Sequence, residues 1–363
     1  MNVVFRCDAS IQIGTGHVMR CLTLADELTS QGAKCYFICR EHKGNLIDFI
    51  TQKGYEVYKL EAIPLNNSNR DEAESTLSHS EWLGTSQAED AKQSIDIVST
   101  IQPKWLVIDH YALDSYWEKK LRTYCNKILV IDDLADRKHD CDVLLDQNFL
   151  PNFKKRYDGL VSDRTIQLLG PSYTILKNEY FKIRAFERQI EPFVKPQVLV
   201  NFGGIGNFRL LSIFINAANQ NPQFKYAIIT GALEPEQFKQ LEDIIAGDHI
   251  TLSNYTTEMP KLMSQSQFAI GACGSTVWER FCLGLNSALV EMAENQHPLI
   301  TYLESERLID NLGHKDILSS TKISSFLNSL DINSPTYSKR KERIMNLVDG
   351  LGAQRISNVI YKL

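Results

Sequence analysis

The chain has 363 residues, of which 43% are hydrophobic and 23% charged, and its formal net charge is −5. This length allows two ordinary domains, and the composition is that of a soluble globular protein. The negative charge gives no electrostatic basis for binding nucleic acid. The first residues lack the pattern of a signal peptide, so we expect none, and no apolar run reaches the roughly 18 residues that a membrane span needs. Because the eight cysteines are scattered without the spacing of a zinc site, we expect a reducing, cytoplasmic location and no metal partner. The charge and the lack of a spanning segment lead us to expect neither a nucleic-acid nor a membrane partner.

Short apolar runs alternate with amphipathic stretches along the whole chain, which predicts an α/β fold with parallel sheets. The predicted strands are 2–6, 34–39, 55–60, 105–109, 127–131, 197–202, 225–230, 249–252, 267–271 and 287–292. The predicted helices are 18–31, 45–53, 87–101, 114–125, 209–219, 234–246, 276–284, 305–312 and 338–361. The polar segment 64–81 interrupts this pattern and predicts a mobile loop.

The pattern restarts after Pro196, where a second apolar strand leads into a glycine-rich loop. Two halves that both begin in this way predict two Rossmann-like domains facing each other across a cleft. We place the first domain at 1–183, a linker at 184–196 and the second domain at 197–363. The last predicted helix could pack back on the first domain.

The most informative motif follows the first strand. Gly14 and Gly16 lie in a loop that leads into a helix, and His17 stands where that helix begins. Ligands bind at such strand–loop–helix junctions, and the positive end of the helix dipole favours the neutral imidazole that a general base requires. The alternative is that His17 only caps the helix or packs beneath it.

A similar junction occurs in the second half. Gly274, Ser275 and Thr276 form a turn of small residues after a strand, and exposed amides at the helix start there could bind a diphosphate. Glu279 has two interpretations. It completes a capping box with Thr276, or it accepts hydrogen bonds from the hydroxyls of a ribose.

Polar residues also follow other strands, at the sheet edge where open α/β folds bind ligands. Asn295 and Gln296 come after the strand at 287–292, although loop polarity alone would explain them. In the first half, Asp109 and the pair Asp132 and Asp133 end two strands. The acidic pair could bind a metal, but we favour hydrogen-bonding or structural carboxylates because no third ligand has a defined spacing.

Several motifs together resemble one family. They are Arg6-Cys-Asp8-Ala-Ser-x-x-Ile-Gly14-x-Gly16-His17-x-x-Arg20, Trp82-Leu-Gly-x-Ser-Gln-x-x-Asp-Ala91, Asp109-His-Tyr111, Ile131-Asp-Asp-Leu, His139-Asp-Cys-Asp142, Gly274-Ser-Thr-x-Trp-Glu279 and Ala293-Glu-Asn-Gln296. The chain resembles the UDP-2,4-diacetamido-2,4,6-trideoxy-β-L-altropyranose hydrolases of pseudaminic acid biosynthesis. That family is related to the MurG-type glycosyltransferases and implies the two-domain glycosyltransferase-B fold.

The resemblance implies hydrolysis of a UDP-sugar with inversion at the anomeric carbon, without a metal or cofactor. His17 matches the proposed general base, and Tyr111 matches a tyrosine near the reacting sugar. The implied substrate-binding residues are Asp8, Gly14, Gly16, Arg20, Gly204, Gly274, Ser275, Thr276, Glu279, Asn295 and Gln296.

The chain departs from the family pattern at two positions. Gly206 stands where relatives often have an acid, so that contact is lost or moved to Asn207, and Cys273 stands where many have glycine. Three other functions remain open: a MurG-type UDP-sugar glycosyltransferase, a non-catalytic UDP-sugar-binding protein and a UDP-sugar 2-epimerase.

Overall fold

The computed structural model describes residues 1–61, 77–185 and 195–363. Most of the predicted loop 64–81 and of the predicted linker 184–196 lies outside these residues. The chain divides into two compact units. Unit 1 contains Met1–Asn148, Asn152–Ile175 and Leu351–Leu363, and unit 2 contains Phe149–Pro151 and Leu176–Gly350. Within the described ranges, no helix is long and apolar enough to cross a membrane.

Unit 1 contains a seven-stranded parallel sheet with the order β3-β2-β1-β4-β5-β6-β7. Its strands are β1 (Asn2–Cys7), β2 (Lys34–Arg40), β3 (Glu56–Leu60), β4 (Trp105–Asp109), β5 (Lys127–Ile131), β6 (Val143–Asp146) and β7 (Ile166–Leu169). Its helices are α1 (Gly16–Ser30), α2 (Ile47–Gln52), α3 (Gln87–Ile101), α4 (Ser115–Leu121) and α13 (Gly352–Lys362). Apolar side chains from both faces of this sheet pack against helices, because parallel strands are covered on both sides.

Unit 2 contains a six-stranded parallel sheet with the order β10-β9-β8-β11-β12-β13. Its strands are β8 (Gln197–Asn201), β9 (Lys225–Ile229), β10 (Ile250–Ser253), β11 (Phe268–Ala272), β12 (Ser287–Glu291) and β13 (Asp310–His314). Its helices are α5 (Asn178–Ala185), α6 (Phe208–Asn219), α7 (Pro235–Asp243), α8 (Met259–Gln265), α9 (Thr276–Cys282), α10 (His297–Ser305), α11 (Ser320–Ser329) and α12 (Pro335–Leu347). Two apolar clusters form its core.

Two predicted helices are wrong. The stretch 305–312 contains the end of α10 and the start of β13, a polar strand whose sequence Asp-Asn-Leu-Gly-His has no apolar signature. The single helix predicted at 338–361 is two helices, α12 and α13, separated at Gly350. Gly350 has a φ of +87°, and a Cβ there would lie 3.0 Å from the Cys282 sulfur. The short strands β6 and β7 were also not predicted.

Helix α13 is part of unit 1. Its residues Ile356 and Ile360 are fully buried in the same apolar cluster as Leu28 of α1. The Trp105 indole nitrogen donates to the Ile360 carbonyl oxygen over 3.0 Å, and the Tyr361 hydroxyl donates to carbonyl oxygens at the end of α1. The sheet is therefore covered on this face by helices from both ends of the sequence.

A buried ionic network lies inside unit 1. Asp90 on α3 accepts from Arg6 and Arg40 at 2.7 Å each and from the Trp117 indole nitrogen at 2.9 Å. Arg6 also donates to Asp8 over 2.7 Å. The four charged residues are fully buried. Such charges are tolerated only while every member is paired, because an unpaired buried charge loses its hydration without compensation.

We expect Asp90→Asn to lower the free energy of unfolding by about 3–5 kcal/mol, because it leaves two buried arginines without their shared carboxylate. Urea unfolding of the full chain measures this change. The matched control is Asp243→Asn, which removes an exposed ion pair with Lys239 on α7 and should change stability little. Equal stability of the two variants would contradict the assignment of a stabilising role to the network.

Candidate functional site

Polar side chains that follow three strands, together with two from α1, meet at the carboxyl-terminal edge of the unit 1 sheet. Tyr111 comes two residues after the end of β4, Asp133 two residues after β5 and Asn148 two residues after β6. His17 and Arg20 join them from the first two turns of α1, which begins at Gly16. Parallel strands place all of these residues at the same edge, where open α/β sheets bind ligands.

His17 forms a buried pair with Asp109. Its Nδ1 donates to Asp109 Oδ1 over 2.6 Å, and the histidine is only 7% exposed. An ionised carboxylate only accepts hydrogen bonds, so Nδ1 carries a proton, and in the neutral form of the ring the lone pair is on Nε2. The Nδ1 atom is thus engaged by Asp109, and α1 has no side-chain cap, so His17 does not act as a helix cap.

Arg20 holds the same carboxylate in a two-pronged ion pair. Its Nε and Nη2 lie 2.6 Å from Asp109 Oδ2 and Oδ1, respectively. Burial alone would raise the pKa of Asp109, but the charge of Arg20 and the hydrogen bonds from Arg20 and His17 outweigh it and hold that pKa well below its usual range. Asp109 therefore stays ionised. Arg20, which was predicted to bind substrate, instead uses its guanidinium group to bind carboxylates of the protein itself.

Asp133 connects Arg20 to Tyr111. Its Oδ2 accepts from Arg20 Nη1 over 2.6 Å and from the Tyr111 hydroxyl over 2.7 Å, while Oδ1 accepts from Asn148 over 3.0 Å. Burial and the neighbouring Asp133 carboxylate raise the pKa of Tyr111 well above its usual value. Tyr111 is consequently a neutral phenol whose proton is directed at Asp133.

Aromatic rings surround His17. Tyr111 meets the His17 ring edge-on at 4.5 Å between centroids, and Trp82 stacks on Tyr111 at 5.6 Å with an interplanar angle of 26°. His79 lies 4.3 Å from Trp82 and 5.5 Å from Tyr111. Sequence reasoning assigned no role to His79 or Trp82. The sequence motif that begins at Trp82 draws attention to this tryptophan, but only the folded structure shows that it lies close to His17.

Other predicted residues of the first motif have different environments. Asp8 is fully buried, where it accepts from Arg6 and from the Arg40 backbone amide, and His110 Nε2 lies 3.2 Å from its Oδ2. This position makes Asp8 part of the interior ionic network. Gly14 has a φ of +79°, which favours glycine, and Gly16 is exposed at the start of α1.

The predicted acidic pair separates into two roles, because Asp133 belongs to the site and Asp132 is buried behind it. Asp132 Oδ1 pairs with Arg137 at 2.9 Å, and its Oδ2 lies 3.7 Å from His139 Nε2. His139 Nδ1 donates to Glu118 over 2.7 Å. Across the described parts of the chain, no three His, Cys, Asp or Glu side chains are arranged to hold a metal ion.

In unit 2, the turn after β11 is held from inside by Arg280. This buried arginine donates through Nη2 to the Ala272 carbonyl oxygen and to Thr276 Oγ1, both over 2.8 Å. Burial lowers the pKa of Arg280 to about 10. Gly274 and Ser275 are exposed between these anchors, so their backbone is accessible to a ligand.

Glu279 does not form the capping box that one interpretation predicted. Its half-buried carboxylate accepts from the Tyr180 hydroxyl of α5, and burial raises its pKa. Thr276 accepts instead from Arg280. A carboxylate has about four acceptor positions, so further hydrogen bonds to Glu279 are chemically possible.

The loops after β8 and β12 contain the remaining predicted residues. Gly204 is exposed, and its carbonyl oxygen accepts from the Ala232 amide over 2.8 Å. At Gly206 a Cβ would lie 2.5 Å from Leu233 and 2.8 Å from the Ala232 carbonyl oxygen, so this loop conformation favours glycine. Asn207 caps α6 through Leu210. Asn295 is exposed, whereas Gln296 accepts from the Met292 amide within its own loop.

Comparison with known proteins supports the resemblance seen in the sequence. The chain is 26% identical over 305 residues to UDP-2,4-diacetamido-2,4,6-trideoxy-beta-L-altropyranose hydrolase of Campylobacter jejuni, covering 84% of this chain and 96% of that protein. No protein-family profile matches the chain.

Solved structures confirm the predicted glycosyltransferase-B fold. Acinetobacter baumannii MurG matches with a TM-score of 0.68 at 13% identity, over 100% of this chain and 99% of MurG. Arabidopsis thaliana UGT89C1 in complex with UDP matches with the same TM-score at 11% identity, over 99% of both chains. At these low sequence identities the structural likeness establishes only the fold. The chemistry has to be inferred from the side chains of the candidate site.

The buried histidine behind the site makes stability depend on pH. Despite burial, Glu118 and Asp132 raise the pKa of His139 to about 9, above the ordinary value near 6.5. The raised pKa contributes stability that is complete below about pH 6.5 and is lost as the pH rises through about 9. We expect urea unfolding to show this decline in the wild type and a flatter profile in His139→Gln. Parallel profiles would contradict the charged state of His139.

Proposed function

We propose that this protein hydrolyses UDP-2,4-diacetamido-2,4,6-trideoxy-β-L-altropyranose to UDP and the free sugar, by inverting attack of water at the anomeric carbon. The observation that carries the proposal is the His17–Asp109 pair, which leaves Nε2 of His17 as a fixed proton acceptor. The related Campylobacter hydrolase supports this choice of substrate.

In the proposed reaction, His17 Nε2 takes a proton from a water molecule as the water oxygen attacks C1 of the sugar. The bond between C1 and the diphosphate oxygen breaks, and its electron pair leaves with UDP. Asp109 remains ionised and stabilises the imidazolium that forms, while Arg20 keeps the carboxylate in place. UDP is a good leaving group, so strong protonation of the departing oxygen is not required.

Tyr111 has a supporting part in this proposal. Its ring packs against the edge of His17, and its hydroxyl is bonded to Asp133. A neutral phenol in this position cannot take the proton from water, but it shapes the surface beside the reacting carbon. Arg20 and Asp133 are positioning residues, since they act through Asp109 and Tyr111.

For unit 2 we propose nucleotide binding. The exposed backbone at Gly274 and Ser275, followed by Thr276, would hold the diphosphate, because backbone amides at such a turn can stabilise its charge. Glu279 would accept from the ribose hydroxyls while it also accepts from Tyr180. Gly204, Asn295 and Gln296 remain proposed contacts on the neighbouring loops.

A UDP-sugar glycosyltransferase is the second candidate, because the fold is that of MurG and UGT89C1. The two functions differ in whether water is a sufficient acceptor. A proton and phosphorus NMR time course with the proposed substrate, in excess EDTA and without another acceptor, separates them. Release of UDP and of the inverted sugar supports a metal-independent hydrolase, and a bound but intact substrate favours a transferase or a binding protein.

We expect His17→Asn to lower kcat by about 10²–10⁴-fold, the usual contribution of a general base. UDP affinity should be unchanged, because His17 is proposed to act on water and not on the nucleotide. Rates of UDP release and calorimetric titration with UDP measure the two effects. Turnover at the wild-type rate would remove His17 as the base.

We expect Glu279→Ala to weaken UDP binding about tenfold or more, since a hydrogen bond to a charged group contributes roughly 1.5–3 kcal/mol. The control is Tyr180→Phe, which removes the partner hydroxyl but keeps the carboxylate, and should reduce affinity less. Calorimetric titration with UDP measures both variants. Unchanged affinity in Glu279→Ala would return this residue to a purely structural role.

A further inference from the structure

The motif that begins at Trp82 is only partly explained by proton transfer at His17. Asp90, within the motif, belongs to the interior ionic network, and Ser86 caps α3 by accepting from the Glu89 amide. Trp82 itself takes part neither in the ionic network nor in the cap of α3. Its indole lies 6.4 Å from the His17 ring and stacks on Tyr111.

Trp82 also differs from the other tryptophans in exposure. The chain has four, and Trp105, Trp117 and Trp278 are at most 2% exposed. Trp82 is half-buried. A large apolar side chain that remains partly exposed next to a proton acceptor has surface available for a ligand, whereas the buried three serve packing.

The backbone around Trp82 has a defined local conformation. Trp82 lies in a short 3-10 helix, Ser80–Leu83, whose last residue is buried. Gly84 follows with a φ of +71°, and a Cβ there would lie 2.7 Å from the His42 ring. From behind, Asp133 fixes the hydroxyl of Tyr111. The indole and the phenol are therefore oriented before any ligand binds, which reduces the entropy lost on binding.

We propose that Trp82, stacked on Tyr111, is the specificity-determining contact for the sugar, and that it packs against the C6 methyl group of a 6-deoxy sugar. This inference rests on the proposed function and adds a substrate-selecting residue to it. A methyl group gains from contact with an indole face, whereas a C6 hydroxyl placed there would lose hydration without a partner. A hydrophobic contact of this kind discriminates against an added hydroxyl by up to about 10²-fold.

The tryptophan exposures allow a direct test by acrylamide quenching of fluorescence, since Trp82 is the main accessible fluorophore. The quenching is measured in the His17→Asn variant, which keeps the substrate intact during the measurement. A stopped-flow measurement on the wild type, completed before one turnover, repeats the test without that substitution. We expect the 6-deoxy UDP-sugar to protect the fluorescence, UDP-N-acetylglucosamine to protect it less and UDP not at all. Trp82→Phe should lack the quenchable component. Equal quenching with UDP and the 6-deoxy UDP-sugar would overturn the proposal.

Affinity provides a second, independent measurement. Calorimetric titration should show Trp82→Ser losing about tenfold in affinity for the 6-deoxy UDP-sugar, while its affinity for UDP is unchanged. Trp82→Phe keeps an aromatic ring and should retain most of the affinity. Both titrations are made in the His17→Asn background, which slows turnover, and equal binding of the 6-deoxy UDP-sugar with and without Trp82→Ser would refute the contact. Neither measurement needs hydrolysis, so a wild type that binds but does not turn over would refute only the hydrolase.

Discussion

The carboxylate of Asp109 is the interaction on which the candidate site depends. It accepts from His17 and is gripped by two nitrogens of Arg20, so one buried anion fixes two residues on successive turns of α1. Arg20 then reaches Asp133, which orients Tyr111. Without an ionised Asp109, the tautomer of His17 would not be fixed and Arg20 would keep only its ion pair with Asp133.

Much of the fold follows from local pattern, and the exceptions have physical causes. Apolar runs long enough to cross a buried parallel sheet predicted ten strands. The strand β13 was not predicted because its residues are mostly polar and Gly313 has a φ of +87°. The four-residue strands β6 and β7 are too short for a periodic signal. The break at Gly350 between α12 and α13 was not predicted, because the left-handed conformation and close packing of this glycine are properties of the folded chain.

The site was predicted less completely than the fold because its contacts are distant in sequence. The glycines around His17 make this turn recognisable in the sequence. The partner of His17, Asp109, is however 92 residues away, and Asp133 is 113 residues from its partner Arg20. A sequence cannot show that Asp8 and Arg20 use their charges on other protein groups. The same limit applies to Glu279, whose partner Tyr180 belongs to a different helix.

The position of helix α13 affects how the protein can be made and divided. Unit 1 takes its first residues from one end of the sequence and Leu351–Leu363 from the other, with nearly all of unit 2 in between. During synthesis, the ribosome completes unit 2 while the apolar surface that receives Ile356 and Ile360 is still uncovered. Unit 1 therefore reaches its final core only after residue 360 emerges, and a fragment cut after unit 1's first segments would lack part of that core.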